Sequence, residues 1–225
     1  MGIRLTSALI CSIAWLMFAV PANAMLLSVT GPNSNLGAAP AIIAAPPDVN
    51  DDAAYNTGMQ GFDERQNVLL GAAILIDGGG SIAAGTRVNS HMIFLNTGPG
   101  NNTTANGHYN VVWTFDGIIL GIMSNQNGSL EVSSSGVLGA IGTAYPNAPF
   151  AARGIENNNG GVGPFSADGY TILTANTLRV GMSVTEPGDW IRVVTSVPEP
   201  GTDRPYLASL WQVSAWLAAA ICTER

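Results

Sequence analysis

Lysine is absent from this chain of 225 residues, so its eight arginines are the only permanently cationic side chains. Fifteen acidic residues give the chain a net charge of -7. Proteins that grip a phosphate backbone need clustered Lys and Arg, and this composition therefore excludes nucleic acid as a partner.

Cysteine is almost as scarce, and both copies lie near the ends of the chain. Cys11 belongs to a leading apolar run and Cys222 to a trailing one. The segment between them therefore has no disulfide, thiolate nucleophile or Cys-based zinc site. A domain without such links depends on its hydrophobic core, which about 170 residues can supply.

The first 24 residues have the pattern of a secretory signal peptide. A short basic start is followed by the apolar run Leu5 to Val20, a Pro, and then Ala22-Asn23-Ala24. This order predicts a signal helix that is cleaved after Ala24, so that the mature chain begins at Met25. The alternative is a permanent anchor, but the run is short for a full span and ends in a cleavage pattern.

The remainder of the chain up to residue 196 reads as a β-rich domain. Residues 25–61 hold a first strand, Met25 to Thr30, and then a surface excursion in which Pro disfavours both helix and central strand. Residues 62–196 form the predicted core, in which short apolar or alternating runs indicate eight more strands. These are Gln66–Asp77, Thr86–Asn96, Tyr109–Asp116, Ile118–Met123, Ser129–Ser133, Tyr170–Leu173, Thr177–Thr185 and Trp190–Thr195.

Turn chemistry connects these strands. Asp116-Gly117 predicts a hairpin between the strands on either side of it, and Asn127-Gly128 predicts a second hairpin. Ser134 to Gly142 has room for one helical turn at most, because Gly recurs in it. We therefore expect a mainly β protein, an antiparallel β-sandwich of jelly-roll-like form.

Histidine and calcium-ligand patterns offer little chemistry. His91 is interpreted as a structural hydrogen-bonding group in or near the core, and His108, beside a Gly/Asn loop, as solvated. Asp48, Asn50 and Asp52 have the spacing of a calcium loop, but Ala53 and Met59 occupy the positions that need Gly and Glu. No cofactor is predicted, although calcium in another loop of the sandwich stays open.

Catalysis would require two acids brought together, and the sequence does not show which ones meet. The candidates are Asp116, Glu131, Glu156 and Asp168. Trp113 and Trp190 could stack on a sugar ring, although packing in the core is the other interpretation of both. No nucleophile elbow or phosphate-binding loop is present, so no catalytic residue is assigned.

The last 29 residues carry the most specific pattern. Val197-Pro198-Glu199-Pro200 precedes the apolar segment 206–222 and a terminal Arg. This arrangement resembles the PEP-CTERM sorting signal of Gram-negative bacteria. The resemblance implies export by the Sec route, processing by an exosortase, transient tethering to the inner membrane, and a final place at the cell surface or in extracellular polysaccharide.

The tail departs from that pattern in two ways. Asp203 and Arg204 interrupt the passage into the apolar segment, and the end, Thr223-Glu224-Arg225, has one net cation fewer than the usual basic cluster. The segment, predicted to be helical, has 17 residues and would reach about 25 Å, less than the roughly 30 Å of a bilayer core. An amphipathic or buried C-terminal helix is the alternative.

The ectodomain also resembles one that occurs ahead of such tails. Phe62 to Val68, Ile82 to His91, Phe115 to Gly121 and Pro187 to Thr195 carry the likeness, which implies the same cellular address and says nothing about catalysis. We expect a non-catalytic binding module, with carbohydrate as its candidate ligand. A surface hydrolase using a carboxylate pair and a purely structural matrix component are the alternatives.

Overall fold

The computed structural model describes residues 25–99, 104–149, 153–155 and 168–198, which belong to one compact unit. Within them the chain is mainly β, as predicted. The signal helix with Ala22 and Ala24, and the tail from Glu199 onward, lie outside the described residues. Val197 and Pro198 lie inside them and follow the last strand.

Twelve strands and one α-helix occur in the described residues. The strands are β1 (Leu26–Thr30), β2 (Ala41–Ile42), β3 (Gln60–Asp63), β4 (Val68–Leu69), β5 (Ile74–Leu75), β6 (Ser81–Ile82), β7 (Arg87–Leu95), β8 (Asn106–Phe115), β9 (Ile119–Met123), β10 (Gly169–Thr174), β11 (Thr177–Val184) and β12 (Asp189–Ser196). Helix α1 covers Ser129–Leu138, and a 3-10 turn covers Asp77–Gly79.

The long strands form two sheets. The first has the order β1-β8-β11-β10 and is antiparallel throughout. The second has the order β2-β3-β7-β12-β9, with β4 also paired to β7. Its only parallel pair is the short β2–β3, and β5 and β6 form a separate hairpin. Among the described strands every other pairing is antiparallel, and one isolated parallel bridge joins Asp48 to Ala144.

One hydrophobic core lies between the two sheets. Trp113 and Val180 come from the first sheet, Ile93 and Val193 come from the second, and all four are completely buried in the same cluster. Alternation along each strand places these side chains on the facing surfaces. The two sheets thus pack as a β-sandwich.

The second sheet is buried on its outer face as well. Along β7, Met92 and Phe94 point outward while His91 and Ile93 point inward, and all four are buried. Helix α1 and the segments between β1 and β7 cover the outer face, where they form two smaller hydrophobic clusters. A side chain on that face is therefore shielded from water, which matters for Arg192 below.

The register defines two opposite ends of the sandwich. At the first, which we call the loop end, Asp189 pairs with Leu95 and Val184 pairs with Asn106. At the second, which we call the tail end, Leu26 pairs with Phe115 and Ser196 pairs with Val88. Ten residues of β8 correspond to about 33 Å between the two ends. Residue 25 and Pro198 both belong to the tail end.

The predicted hairpin at Asn127-Gly128 and the strand Ser129–Ser133 are wrong, because α1 begins there. The side chains of Asn127 and Asn125 accept hydrogen bonds from the N–H groups of Ser129 and Leu130, 3.1 and 2.9 Å away. These bonds satisfy two amides of the first turn, which have no partner within the helix. Burial of Leu138 then fixes the helix against the sheet.

The predicted hairpin at Asp116-Gly117 is also wrong. β8 belongs to the first sheet and β9 to the second, so the turn crosses from one sheet to the other. A Cβ at Gly117 would lie 2.1 Å from the carbonyl oxygen of Ser196, and the close crossing therefore requires glycine. The run Gln66–Asp77, expected as one strand, contains β4 and β5 instead, because Leu70 turns into the core between them.

Candidate functional site

Three carboxylates meet at the loop end. Asp51 and Asp52 belong to the turn that follows buried Val49, and Glu186 belongs to the connection between β11 and β12. One oxygen from each carboxylate lies within 4.8 Å of the other two. The fold thus brings together acids that are far apart in the chain, and we call them the acidic triad.

Thr97 holds the buried member of the triad. Its backbone N–H donates to Asp51 Oδ1 at 2.7 Å, and its hydroxyl lies 3.0 Å from Asp51 Oδ2 and 3.4 Å from Glu186 Oε2. Asp51 is only 3% exposed, whereas Asp52 and Glu186 are exposed. Asp51 therefore ties this turn to the end of β7, and the other two acids are the ones a ligand can reach.

Electrostatics distinguish Glu186 within the triad. Desolvation raises the pKa of Glu186, and the negative charges of Asp51 and Asp52 raise it further. Like charges at this distance favour either a retained proton or a nearby cation. Carboxylate oxygens are the ligands that calcium prefers, so within the described part of the chain this triad could hold such an ion.

Arg153 lies beside the triad and packs on Trp190. Its guanidinium carbon is 5.1 Å from the centroid of the indole ring, and its carbonyl accepts a hydrogen bond from the Trp190 N–H at 3.2 Å. Burial lowers the pKa of Arg153, and the carboxylates of Asp51, Asp189 and Glu186 partly oppose that effect. The cation offsets part of the negative charge at the loop end.

A groove of about 330 Å³ opens next to Arg153. Asn50, Tyr145, Asn147 and Arg153 supply its polar lining, and prolines complete the walls. Amide, phenol and guanidinium groups in one concave surface can donate and accept hydrogen bonds to a ligand rich in hydroxyl groups. Tyr55, an exposed aromatic residue bridged to Thr97, adds a second aromatic surface at this end.

Beneath the groove, Arg192 is completely buried and uses all five of its N–H donors. Nε and Nη2 bind the two carboxylate oxygens of Glu64 at 2.7 and 2.8 Å. Nη1 donates to the carbonyl of Glu131 and the hydroxyl of Ser134, both at 2.6 Å, and Nη2 also donates to Ser135 at 3.2 Å. The guanidinium therefore joins β12 to α1.

Tyr145 connects the groove to the buried Arg192. The ring of Tyr145 lies 5.5 Å from the guanidinium carbon of Arg192, and its hydroxyl accepts a hydrogen bond from the Ala140 N–H at 2.8 Å. The wall of the groove is thereby fixed from below.

Glu131 is a buried acid in the first turn of α1. Neither oxygen of its carboxyl accepts a hydrogen bond from another described residue.

The tryptophans singled out from the sequence are both in the core. Trp113 is 0% exposed between the sheets, and Trp190 is 1% exposed beneath Arg153. In this structure neither ring offers a free face to a sugar. Among the described residues, the aromatic groups that a ligand can reach at the loop end are Tyr55 and Tyr145, which alternation along the strands gave no reason to select.

Of the four acids singled out from the sequence, the three that the structure describes do not meet one another. Asp116 lies at the tail end, Glu131 is buried in the first turn of α1, and Asp168 accepts a hydrogen bond from Ser183 near the loop end. Glu156 lies outside the described residues. The triad that does assemble includes Asp52, which the sequence offered only as part of an unsuitable calcium loop.

The two histidines are both structural. His91 is buried between Asp63 (Nδ1–Oδ1 2.7 Å) and Thr195 (Nε2–Oγ1 3.0 Å), which confirms its predicted role. The prediction that His108 is solvated is wrong. Its Nδ1 accepts the Met59 N–H and its Nε2 donates to the Pro32 carbonyl, both at 2.8 Å, because the excursion after β1 folds over it.

No family model, curated protein or solved structure matches this chain. None of the helices in the described residues has both the length and the apolar character needed to cross a membrane.

Proposed function

We propose that this protein is a surface or matrix protein that is sorted through its Val197-Pro198-Glu199-Pro200 box. In this proposal the Sec machinery exports the chain, the signal helix is removed after Ala24, and an exosortase-like enzyme reads the box while the apolar segment 206–222 tethers the chain to the inner membrane. Val197 and Pro198, the first two residues of the box, come directly after β12, which supports the proposal because the box then begins where the folded unit ends.

The ectodomain acts in this proposal as a non-catalytic binding module, built on a sandwich of jelly-roll-like form. The observation that carries the proposal is the polar groove at the loop end, at the opposite end of the strands from Ser196, the last residue of β12. A chain held by its tail presents that groove outward. Tyr145, Arg153 and the neighbouring amides fit a carbohydrate, whose hydroxyl groups need both donors and acceptors.

A glycan array screened with residues 25–198 tests the binding module, because this range is the compact unit without its tail. We expect binding that Asn147→Ala and Arg153→Ala both weaken. Asn147 is exposed, so its loss does not disturb the core, and the exposed Arg87 at the tail end provides the matched control Arg87→Ala. Absence of binding across the array would favour a structural matrix role.

One observation favours the hydrolase alternative, namely the raised pKa of Glu186 beside two other carboxylates. A carboxyl group that keeps its proton can serve as a general acid. Both oxygens of Asp51 already accept hydrogen bonds from Thr97, which leaves Asp52 as the second acid. Release of reducing ends from matrix polysaccharide by the wild type, lost in Glu186→Gln, would establish this activity in place of simple binding.

The proposal includes a calcium ion, held by the acidic triad, that would stabilise the loop end. An exposed pair of carboxylates beside a third would bind it with modest affinity. Calorimetric titration of the ectodomain with calcium tests it. Heat of binding that disappears in the double variant Asp52→Asn, Glu186→Gln would support the site, and equal heats in both proteins would contradict it.

A further inference from the structure

Exposed apolar side chains gather at the tail end of the sandwich. Five of the twelve large apolar residues that are exposed in the described part of the chain lie there, each between 46% and 56% exposed. They are Met25, Leu27, Leu69, Ile118 and Leu173. Soluble domains rarely leave such residues together without a partner.

The strand register shows that these residues occupy one end. Met25 and Leu27 flank Leu26, whose partner across the sheet is Phe115 at the end of β8. Ile118 and Ser196 are joined by two hydrogen bonds. The Ser196 backbone N–H donates to the Ile118 carbonyl at 2.8 Å, and the Ile118 N–H donates to the Ser196 hydroxyl at 3.0 Å. Leu69 and Leu173 lie at the corresponding ends of β4 and β10, next to the β7 and β11 residues of the same end. The five apolar residues therefore lie at the same end of the strands as Ser196, the last residue of β12.

The length of chain beyond that place limits its distance from a bilayer. Seven residues, 199–205, separate Pro198 from the start of the apolar segment. Fully extended they span about 25 Å, whereas the loop end lies about 33 Å farther along the strands. If the apolar segment enters a membrane, the tail end is the part of the sandwich that reaches the lipid surface.

We propose that the tail end is a membrane-contact surface, in which Met25, Leu27, Leu69, Ile118 and Leu173 insert into the headgroup region while the chain is tethered. This inference rests on the proposed sorting function, since the tail supplies the tether. Side chains that insert into an interface gain from the removal of apolar area from water, and Arg87 and the new amino group of Met25 would favour anionic lipid. Asp116, exposed at the same end, limits that electrostatic gain.

A probe attached at two positions tests the contact. The mature chain, residues 25–225 with Cys222→Ser, receives a single cysteine as Ile118→Cys or, as the matched control at the loop end, Tyr55→Cys. These positions are 56% and 55% exposed, so labelling with an environment-sensitive fluorophore disturbs neither core. Each protein is incorporated into vesicles of phosphatidylethanolamine and phosphatidylglycerol that carry a lipid-borne nitroxide quencher.

We expect the probe at residue 118 to shift to shorter wavelength and to be quenched several-fold more than the probe at residue 55. Leu27→Asp in the same chain should reduce the quenching at residue 118 while the chain still floats with the vesicles. Equal quenching at both positions in floating chains would overturn the contact and leave the sorting function intact. Failure of the chain to float would contradict both proposals.

A second copy of the chain is the competing occupant of this surface. A blue shift at residue 118 that grows with protein concentration in the absence of vesicles would show that two copies cover the tail end, and would overturn the membrane contact.

Discussion

Replacement of Glu131 by Gln is predicted to stabilise this protein in a way that depends on pH. The carboxyl lies in the first turn of α1, completely buried, and neither oxygen accepts a hydrogen bond from another described residue. Arg192 cannot neutralise it, because all five guanidinium donors are engaged elsewhere and Glu64 already forms the ion pair. An ionised Glu131 would therefore be a second, uncompensated anion in the core.

The size of the effect follows from the proton affinity of the carboxyl. Burial raises the pKa of Glu131 from 4.5 to about 8, while the positive charge of Arg192 and the residue's own backbone N–H offset only part of the rise. Below pH 4.5 both the folded and the unfolded chain hold the proton, so the carboxyl has no effect on stability there. Between pH 4.5 and about 8 only the folded chain keeps it, and the free energy of unfolding falls as the pH rises.

At about 1.4 kcal/mol per pKa unit, the loss is about 3 kcal/mol at pH 7 and about 5 kcal/mol above pH 8. Glutamine stays neutral, so it removes this loss. Its buried amide adds an offset of about 1–3 kcal/mol that does not change with pH. The difference between the two proteins as a function of pH therefore isolates the ionisation of Glu131.

Urea unfolding of the wild type and Glu131→Gln from about pH 5 to about pH 9 measures that difference. We expect the two curves of free energy against pH to diverge by several kcal/mol across this range. The exposed Asp116 provides the control Asp116→Asn, whose curve should follow the wild type. Parallel curves for the wild type and Glu131→Gln would refute the argument that this carboxyl is buried without compensation.

Three further predictions concern the buried residues and the glycines. Arg192→Leu should lower the free energy of unfolding by about 3–5 kcal/mol, because Glu64 then stays buried without its cation. Urea unfolding measures this loss, and part of it should be recovered when Glu64→Leu is added. Gly61→Ala places a Cβ 2.6 Å from the ring of Trp113 and should lower the free energy of unfolding by about 1–3 kcal/mol. Gly136→Ala in α1 meets nothing within 4 Å and should raise it by up to about 1 kcal/mol. Thermal melts distinguish the two variants, and equal effects would contradict the packing described for Gly61. Burial lowers the pKa of His108 from 6.5, so the unfolded chain binds a proton first and the free energy of unfolding should fall as the pH drops below that value. The fall should be smaller in His108→Gln. The same fall in both proteins would show that this ring does not control stability at acid pH.

Strand positions could be predicted where alternation is long and the side chains are β-branched or aromatic. The predicted Thr86–Asn96 and Trp190–Thr195 agree with β7 and β12 to within one or two residues. Both strands are buried on two faces. For β7 the sequence already indicates this, because the Thr86–Asn96 run has apolar residues on both of its faces.

The pairing of the strands could not be read locally. Asp-Gly between two apolar runs normally predicts a hairpin, yet here the flanking strands enter different sheets. Likewise, Asn127-Gly128 favours a turn in both a hairpin and a helix start. The choice between them depends on Asn125 and Asn127 side chains and on burial of Leu138, and these contacts exist only in the folded chain.

The residues of the candidate site could not be predicted from the sequence. The acids that meet at the loop end come from the 51–52 turn and from Glu186, which the sequence keeps far apart. Trp113 and Trp190 have the residue type suited to stacking and lie in the core, since large aromatic side chains fill cores as readily as they bind sugars. Accessibility, which decides between these roles, is a property of the fold.

The intact mass of the mature protein tests the central proposal most directly. The chain is produced in a host that has an exosortase and in one that lacks it, together with a Pro198→Ala, Pro200→Ala variant. We expect only the wild-type chain in the first host to lose its C-terminal residues, while the other samples keep the peptide ending at Arg225. An intact C-terminal peptide in every sample, with the wild-type mass the same in both hosts, would contradict the sorting function.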